Sequence, residues 1–276
     1  MAPASGRFAD LGQRTLSALV LGGVALGVIW LGGTAMALLV GALAAAMAWE
    51  WRAMTRAPAI PALADAEPAV VALAGAVAVA HGAGFAAGLA WLVAALALAA
   101  LIDVVRRRGA AGAWLMAGGV YIGLGCLAFL SLRAFEPFGF LTILWVILTV
   151  MAADVGGYFG GRLIGGAKLW PAVSPKKTWA GLLGGVGLAF VLGGLFSWAT
   201  TGTYFEEVCT VSAIAALLAQ GGDLAESAAK RHFGVKDAGT LIPGHGGALD
   251  RFDGLLAASL VAAAVTHWRG QTVFIW

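Results

Sequence analysis

The sequence predicts an all-α integral membrane protein, built as a polytopic bundle of about nine transmembrane helices. Of its 276 residues, 61% are hydrophobic and 11% are charged, and the mean hydropathy is +0.91. A soluble domain has about 45–50% apolar and about 25% charged residues, so this composition indicates a membrane protein. Long runs without charged residues and an uneven distribution of basic residues between loops support the same class.

The charge-free runs give the spans in chain order, because a helix needs about 20 residues to cross a bilayer. These runs are 15–49, 68–102, 109–132, 137–153, 178–205, 208–222 and 254–268. The first two contain 35 residues each, so each is expected to form two short spans, with breaks near Gly32–Thr34 and His81–Gly84. The short run 208–222 is expected to continue as helix through Asp223 and Glu226, facing a polar cavity. The other runs supply one span each, which gives nine.

The basic residues predict the orientation of these spans, because short cytoplasmic loops carry an excess of Lys and Arg. With the N-terminus inside, fifteen basic residues fall on the inner side, and only Arg133 and Arg269 fall on the outer side. The inner residues include the run Arg106–Arg108, which we interpret as a determinant of topology. Glu136, Glu206 and Glu207 also fall outside. The N-terminus is therefore predicted to face the cytoplasm and the C-terminus the outside.

Cysteine and histidine usage weighs against several classes of protein. Cys126 and Cys209 lie in apolar segments without metal-binding spacing, so they are expected to be buried thiols rather than a disulfide. The sequence has no His-Glu-x-x-His motif, which argues against a zinc protease. A cleavable signal peptide is not expected, because the apolar run after Arg14 is too long and continues into a second one.

The chain is predicted to form one membrane domain with two unequal halves. Residues 1–132 are rich in Ala, Leu and Gly and are expected to supply scaffold spans, lipid contacts or a dimer surface. Within them, Trp49–Arg52 is expected to anchor the chain at the membrane interface. Residues 133–276 are predicted to be the catalytic region. Small residues let membrane helices approach closely. A packing face is predicted at Gly181, Gly184, Gly185 and Gly187.

Polar residues concentrate at 222–254, where we predict the catalytic centre. These 33 residues contain five acids, four Lys or Arg and two His. Ionisable groups are costly near a bilayer, so such a cluster in a hydrophobic protein indicates a functional site. On a helix, Asp223, Glu226 and Lys230 would share one face, with Ser227 as the alternative to Glu226.

A magnesium site is predicted at the carboxylates of this segment. Mg²⁺ takes oxygen ligands, commonly one or two carboxylates together with substrate phosphates and water. Asp223 and Asp250 are the preferred ligands, and Asp253, three residues after Asp250 on the expected ninth helix, comes next. The irregular segment Pro243–Gly247 is expected to line a cavity, and His245 within it is interpreted as functional.

Two shorter polar motifs precede this segment. Asp154–Arg162 contains four glycines that would let the backbone approach a ligand, although Asp154 could instead cap a helix or pair with Arg162. Ser174–Thr178 carries two lysines just before the seventh span, and Pro175 can occupy the first turn of a helix. Free backbone N–H groups beside two ammonium groups attract anions, so Ser174–Thr178 is predicted to bind phosphate.

Together these motifs resemble the signature of the phosphatidate cytidylyltransferases, or CDP-diacylglycerol synthases. The residues that carry the resemblance are Lys230, Arg231, Lys236, Asp237, His245–Gly247, Asp250–Asp253, Ser174–Thr178, Asp154, Tyr158, Gly161 and Arg162. They span residues 154–254, and the first half of the chain matches only in general character. Two departures, Ala180 and Ala229, affect little beyond local packing.

The resemblance implies an integral membrane enzyme, often a homodimer, that joins CTP and phosphatidic acid into CDP-diacylglycerol and releases pyrophosphate. This reaction is an early step of phospholipid biosynthesis. The resemblance also implies the inner membrane of a bacterium, with the active site facing the cytoplasm. The family requires Mg²⁺, and related enzymes are associated with K⁺ as a second ion. The expected partners are the two substrates and membrane lipids, with no nucleic acid.

The candidate site residues form three groups. The catalytic group comprises Asp223, Lys230, Arg231, Lys236, Asp237, His245, Asp250, Arg251 and Asp253. The phosphate-binding group comprises Ser174, Lys176, Lys177, Thr178, Asp154 and Arg162. The metal-binding group comprises Asp223, Asp250 and Asp253. Because two strongly negative substrates must meet, positioning and charge neutralisation are expected to supply most of the catalysis, without a nucleophilic Ser or Cys.

Two other interpretations remain open from the sequence. A related CTP-dependent enzyme could act on a polyprenol or an isoprenoid-glycerol phosphate, because the polar motifs do not distinguish acyl from prenyl chains. A membrane transporter or channel would place polar groups near mid-depth in several spans. The polar groups of this sequence gather at the predicted cytoplasmic ends instead, which favours an enzyme.

Overall fold

The computed structural model describes residues 22–55, 63–105, 110–239, 241 and 246–275. Within these residues the helices are α1 (Gly22–Leu31), α2 (Gly33–Thr55), α3 (Leu63–Ala83), α4 (Phe85–Val105), α5 (Ala110–Ala134), α6 (Gly139–Leu163), α7 (Trp179–Thr200), α8 (Phe205–His232) and α9 (Leu249–Arg269). The strands are β1 (Lys168–Trp170) and β2 (Ser174–Thr178). Six of these helices, α2 and α4 to α8, are long and apolar enough to cross a membrane. The predicted all-α membrane fold is therefore confirmed.

A glycine in the left-handed region divides each of the two long charge-free runs. Gly32 has φ +64° between α1 and α2, and Gly84 has φ +90° between α3 and α4. A residue with a side chain adopts such values only at a cost, so glycine is suited to end a helix there. Both breaks lie within the ranges that the sequence predicts.

Successive helices run in opposite directions, which gives the bundle two distinct ends. At the first, Thr34 Oγ1 on α2 lies 3.0 Å from His81 Nε2 on α3, and Ser131 Oγ on α5 lies 3.2 Å from His267 Nε2 on α9. At the second, Glu50 near the end of α2 contacts the start of α9. We call the end with His81 and His267 the far end, and the end with Glu50 the site end.

Apolar side chains from both halves of the chain fill the centre of the bundle. Met36 on α2, Ile122 on α5 and Trp145 on α6 are fully buried members of one apolar cluster, to which α8 and α9 also contribute. Cys126 and Cys209 are free and buried, as the sequence predicts. The halves therefore share one core.

Helices α6 and α7 pack with their backbones in direct contact because both carry glycine at the interface. A Cβ atom added to Gly156 would lie 2.4 Å from the carbonyl oxygen of Gly184, and one added to Gly185 would lie 2.4 Å from a carbonyl oxygen of α6. Gly181 also faces α6. The predicted packing face is thus correct at these positions and wrong at Gly187, where no atom of the described residues lies within 4 Å of an added Cβ.

The segment predicted to start a helix at Pro175 is instead strand β2, paired antiparallel with β1. Helix α7 begins at Trp179, and Thr178 before it is the N-cap. The Thr178 Oγ1 accepts a hydrogen bond from the backbone N–H of Gly181 at 3.0 Å. The prediction for Pro175 is therefore wrong, because a threonine hydroxyl, rather than a proline in the first turn, defines the start of this helix.

Helices α8 and α9, which carry the predicted acidic residues, follow the sequence prediction more closely. Helix α8 continues through Asp223 to its end at His232, and α9 carries Asp250 and Asp253 in its first two turns. The basic run Arg106–Arg108 and residues 243–245 of the irregular segment Pro243–Gly247 lie outside the described residues.

Candidate active site

Three carboxylates from α8 and α9 meet at the site end. Asp223, Glu226 and Asp253 each offer one oxygen, and these atoms lie within 4.8 Å of one another. We call these three residues the acid cluster. Gly222 lets α9 approach α8, since a Cβ there would lie 3.1 Å from the carbonyl oxygen of Asp253. The Tyr121 hydroxyl on α5 donates a hydrogen bond to the same carbonyl oxygen at 2.5 Å.

The burial of the acid cluster suits a cation. Glu226 and Asp253 are 3% and 8% exposed, whereas Asp223 is partly open. The Glu226 Oε1 atom is buried and has no hydrogen-bond partner among the described residues. A buried oxygen without a partner is costly, and three neighbouring negative charges repel one another. A hard cation with oxygen ligands would relieve both effects, so the donor set fits Mg²⁺.

The Lys230 ammonium group lies between the acid cluster and Asp250. Its Nζ atom is 2.6 Å from Glu226 Oε2 and 2.7 Å from Asp250 Oδ1. Asp250 Oδ2 also accepts hydrogen bonds from the backbone N–H groups of Ala238 and Gly247, both at 3.0 Å. Asp250 therefore holds the segment before α9 in place. The structure groups Glu226, rather than Asp250, with the other two predicted metal ligands, and Asp250 as a ligand stays a prediction.

A cavity of about 520 Å³ opens beside the acid cluster, between α6, β2, α7 and α8. We call it the polar cavity. Its lining includes five of the six residues predicted to bind phosphate, namely Asp154, Arg162, Lys176, Lys177 and Thr178. Asp223 lines it as well, so the polar cavity and the acid cluster share this carboxylate.

Lys177 connects the polar cavity to the acid cluster. Its Nζ atom lies 2.6 Å from Asp223 Oδ2 and donates a hydrogen bond to the Gln220 carbonyl oxygen at 3.5 Å. The Gln220 side-chain amide donates in turn to Asp154 Oδ1 at 3.4 Å. One network of polar contacts thus joins α6, β2 and α8.

The remaining predicted residues lie around the site. The exposed Arg162 donates a hydrogen bond to the Tyr158 hydroxyl at 2.5 Å, and Arg231 Nε donates to the Val173 carbonyl oxygen at 3.4 Å. Further exposed residues at the site end are Lys236, Asp237 and Arg251. Ser174 begins β2. His245 lies outside the described residues.

Three polar residues at the site were not assigned to it from the sequence. Glu226 and Gln220 lie one turn from Asp223 on either side along α8. The sequence placed Glu226 on the same helix face as Asp223 without naming it a ligand, and the same helical spacing could have identified Gln220. Glu50 contacts the start of α9 from 198 residues away, and nothing local in the sequence indicates that contact. The interpretation of Trp49–Arg52 as an interfacial anchor does not account for Glu50, which is buried.

A buried acid cluster beside a polar cavity with basic side chains, at one end of a membrane bundle, is suited to an enzyme that binds phosphates. Residues 12–268 of the chain match the cytidylyltransferase family. The chain therefore belongs to this family, and it is a CTP-dependent nucleotidyltransferase embedded in the membrane. The family and enzyme class expected from the motifs are confirmed.

Three relatives, each a phosphatidate cytidylyltransferase, show how far the likeness extends. The protein of Brucella suis biovar 1 (strain 1330) is 37% identical over 252 residues, which is 91% of each chain. That of Bacillus subtilis (strain 168) is 39% identical over 138 residues, 50% of this chain and 51% of the relative. That of Helicobacter pylori (strain ATCC 700392 / 26695) is 39% identical over 160 residues, 56% and 59% of the two chains. The first of these alignments also covers most of the scaffold half, beyond the motif region.

Proposed function

We propose that the polar cavity and the acid cluster form one active site, which transfers a cytidylyl group from CTP to phosphatidate. The products are CDP-diacylglycerol, a precursor for phospholipid synthesis, and pyrophosphate. The observation that carries this proposal is the position of Asp223, which belongs to the acid cluster and also lines the cavity with Lys176 and Lys177. The relatives named phosphatidate cytidylyltransferase support phosphatidate as the second substrate.

The two halves of the chain have different roles in this proposal. Residues 133–276 are the catalytic region, because they contain the whole acid cluster and the lining of the polar cavity. Residues 1–132 are the scaffold, and they contribute Tyr121 and Glu50 to the support of α9.

The acid cluster is the proposed binding site for Mg²⁺. Asp223, Glu226 and Asp253 would hold the ion, and Asp250 could join them only by giving up its contact with Lys230. When bound, the ion neutralises phosphate charge and polarises the phosphoryl group under attack. K⁺ as a second ion is part of the proposal through the family resemblance alone.

The basic residues of the polar cavity are the proposed phosphate-binding groups. Lys176 and Lys177 present two ammonium groups beside the start of α7, where the helix dipole also favours negative charge. Arg162 at the same cavity has a planar guanidinium that matches phosphate oxygens. The Thr178 hydroxyl accepts a hydrogen bond from the Gly181 N–H. We therefore propose that Thr178 stabilises the turn between β2 and α7 rather than binding phosphate.

The chemistry needs no covalent intermediate on the protein. A phosphate oxygen of phosphatidate attacks the α-phosphorus of CTP, the new P–O bond forms, and the bond from that phosphorus to the β-phosphate bridging oxygen breaks. Pyrophosphate leaves with the electron pair. The attacking oxygen is already ionised near neutral pH, so the protein contributes by aligning two anions and lowering their repulsion. Lys176, Lys177 and Arg162 are placed to do this.

We also propose that the site end faces the cytoplasm, in the inner membrane of a bacterium, and that the enzyme is a homodimer. The orientation is supported by the fifteen basic residues predicted on that side, against two on the other. A cytoplasmic site would have direct access to CTP. The homodimer rests on the family resemblance.

The direct test is pyrophosphate release by detergent-purified protein supplied with CTP. We expect release with phosphatidic acid and Mg²⁺, none without the lipid, and none from the Asp223→Asn variant. A polyprenyl phosphate and an isoprenoid-glycerol phosphate serve as competing lipids in the same detergent. Release with one of these, but not with phosphatidic acid, would replace the proposed substrate by the prenyl alternative.

A further inference from the structure

Glu50 is a buried carboxylate of the scaffold half that contacts the catalytic region directly. It is 3% exposed. Its Oε1 accepts a hydrogen bond from the Ala248 N–H at 3.0 Å, and its Oε2 accepts one from the Leu249 N–H at 2.8 Å. Both donors lie at the start of α9, so one side chain satisfies two N–H groups of this helix terminus.

The start of α9 depends on this external carboxylate. The first N–H groups of a helix have no partner within the helix, and Ala248, the residue at the N-cap position, makes no side-chain cap hydrogen bond. A negative charge at this position also interacts favourably with the helix dipole. Glu50 therefore supplies from α2 both the hydrogen-bond acceptors and the charge that a capping side chain would normally provide.

Two glycines leave room for the Glu50 carboxylate. A Cβ atom added to Gly239 would lie 2.4 Å from Glu50 Oε1, and one added to Gly247 would lie 2.8 Å from Glu50 Oε2 and 2.8 Å from the Gly239 backbone nitrogen. Gly239 and Gly247, which both lie in the segment between α8 and α9, therefore meet around Glu50. This segment includes the glycine-rich motif that the sequence singles out.

A chain of contacts connects Glu50 to the acid cluster. The Leu249 N–H donates to Glu50, and the next residue is Asp250. The Asp250 carboxylate lies 2.7 Å from the Lys230 ammonium group. Lys230 contacts Glu226 of the acid cluster at 2.6 Å. A displacement of the first turn of α9 would thus move both Asp250 and, one turn later, Asp253.

We propose that Glu50 is a positioning residue for cytidylyl transfer: from α2 it fixes the start of α9 and, through Asp250 and Lys230, the acid cluster. It is not among the residues that line the polar cavity, and it acts through other residues. The inference rests on the proposed acid cluster for its functional consequence, whereas the contact itself is independent of the substrate.

The test compares Glu50→Gln and Glu50→Asp with Glu136→Gln, a change to an exposed glutamate at the far end. In Glu50→Gln one of the two acceptor oxygens becomes an N–H donor facing a backbone N–H group. We expect a kcat at least tenfold lower and a Mg²⁺ concentration for half-maximal activity several-fold higher, in protein that remains folded in detergent. Glu50→Asp should recover part of the kcat, and Glu136→Gln should behave like the unaltered protein.

Hydrogen exchange gives a readout that needs neither substrate nor metal. Peptides containing Ala248 and Leu249 should exchange faster in Glu50→Gln, and peptides from α6 should not change. Unaltered kcat, or a lower kcat with unaltered exchange and Mg²⁺ dependence, would overturn the proposal. If the glutamine variant does not fold, the same readouts on Glu50→Asp decide the matter. Failure of the proposed function would appear separately, as inactivity of the unaltered protein with phosphatidate.

Gly239→Ala perturbs the same contact from the opposite side. The added methyl group would push the Glu50 carboxylate away from the start of α9, so this variant should reproduce the faster exchange and the lower kcat. Gly187→Ala is the matched control, because its added methyl group meets no atom within 4 Å in the part of the chain that the structure describes. Combining Gly239→Ala with Glu50→Gln should lower kcat little more than the more harmful single change does, since both changes remove the same interaction. Full additivity would overturn the proposal.

Discussion

Lys177 and Asp223 form an ion pair of 2.6 Å that joins the polar cavity to the acid cluster. Lys177 lies on β2 and Asp223 lies on α8, 46 residues later in the chain. Both residues line the polar cavity. Binding of CTP and a metal ion would give both groups new partners, so the pair links the two halves of the proposed site.

The first prediction concerns Lys177. Replacing it by methionine removes one charge-assisted phosphate contact, worth about 1.5–3 kcal/mol, so kcat/KM for CTP should fall roughly ten- to a hundredfold. The control is Arg107→Met, in the basic run that we assign to membrane topology. Both variants are assayed for CTP and phosphatidate dependence in the same detergent. Equal and small effects would show that Ser174–Thr178 only flanks the membrane.

The second prediction separates metal ligands from supporting carboxylates. Asp223→Asn and Asp253→Asn should abolish turnover at any Mg²⁺ concentration, since a neutral amide is a poor ligand for a hard cation. Asp250→Asn should weaken the Lys230 contact by removing its negative charge, and so lower both activity and thermal stability while retaining a response to added Mg²⁺.

The measurement for these carboxylates is a Mg²⁺ titration of activity, combined with direct binding of Mn²⁺ to the purified variants. Glu207→Gln, at the far end, is the control. If Asp250→Asn lost Mn²⁺ binding and Glu226→Gln kept it, the metal-binding group predicted from the sequence would be right and the acid cluster would be wrong.

The third prediction concerns the contact between α6 and α7. A methyl group added at Gly184 would lie 2.7 Å from the Gly156 carbonyl oxygen, and backbone cannot move aside as a flexible side chain can. Gly184→Ala should therefore destabilise the fold by about 1–3 kcal/mol and separate Asp154 from the Lys177 side of the cavity. Thermal unfolding in detergent and kcat/KM are measured beside Gly187→Ala, which should change neither. A stable, active Gly184→Ala protein would contradict the close packing.

The fourth prediction concerns orientation in the membrane. A cysteine at the exposed Leu241 should react with an impermeant maleimide only after the cells are permeabilised, whereas one at Glu136 should react in intact spheroplasts. The two native cysteines are buried and should give little background. Labelling of Leu241→Cys from outside would reverse the proposed topology.

Local patterns in the sequence determined the fold class and both breaks in the long apolar runs. Hydrophobic length selects a membrane helix without reference to distant residues, and Gly32 and Gly84 act within their own turns. The spacing of Asp223 and Glu226 on α8 is likewise local. The family followed from motifs that are contiguous in the chain.

Only the tertiary structure decided how these elements combine. Ser174–Thr178 became a strand because it pairs with Lys168–Trp170, a partner that its own sequence does not specify. Asp250 and Asp253 lie three residues apart and are expected on one face of α9. In the folded protein, however, Asp250 pairs with Lys230, whereas Asp253 belongs to the acid cluster. Glu50 is paired across 198 residues with a helix start that only folding brings near it. Such contacts depend on which faces meet in the assembled bundle, which is a property of the whole fold and not of any local pattern.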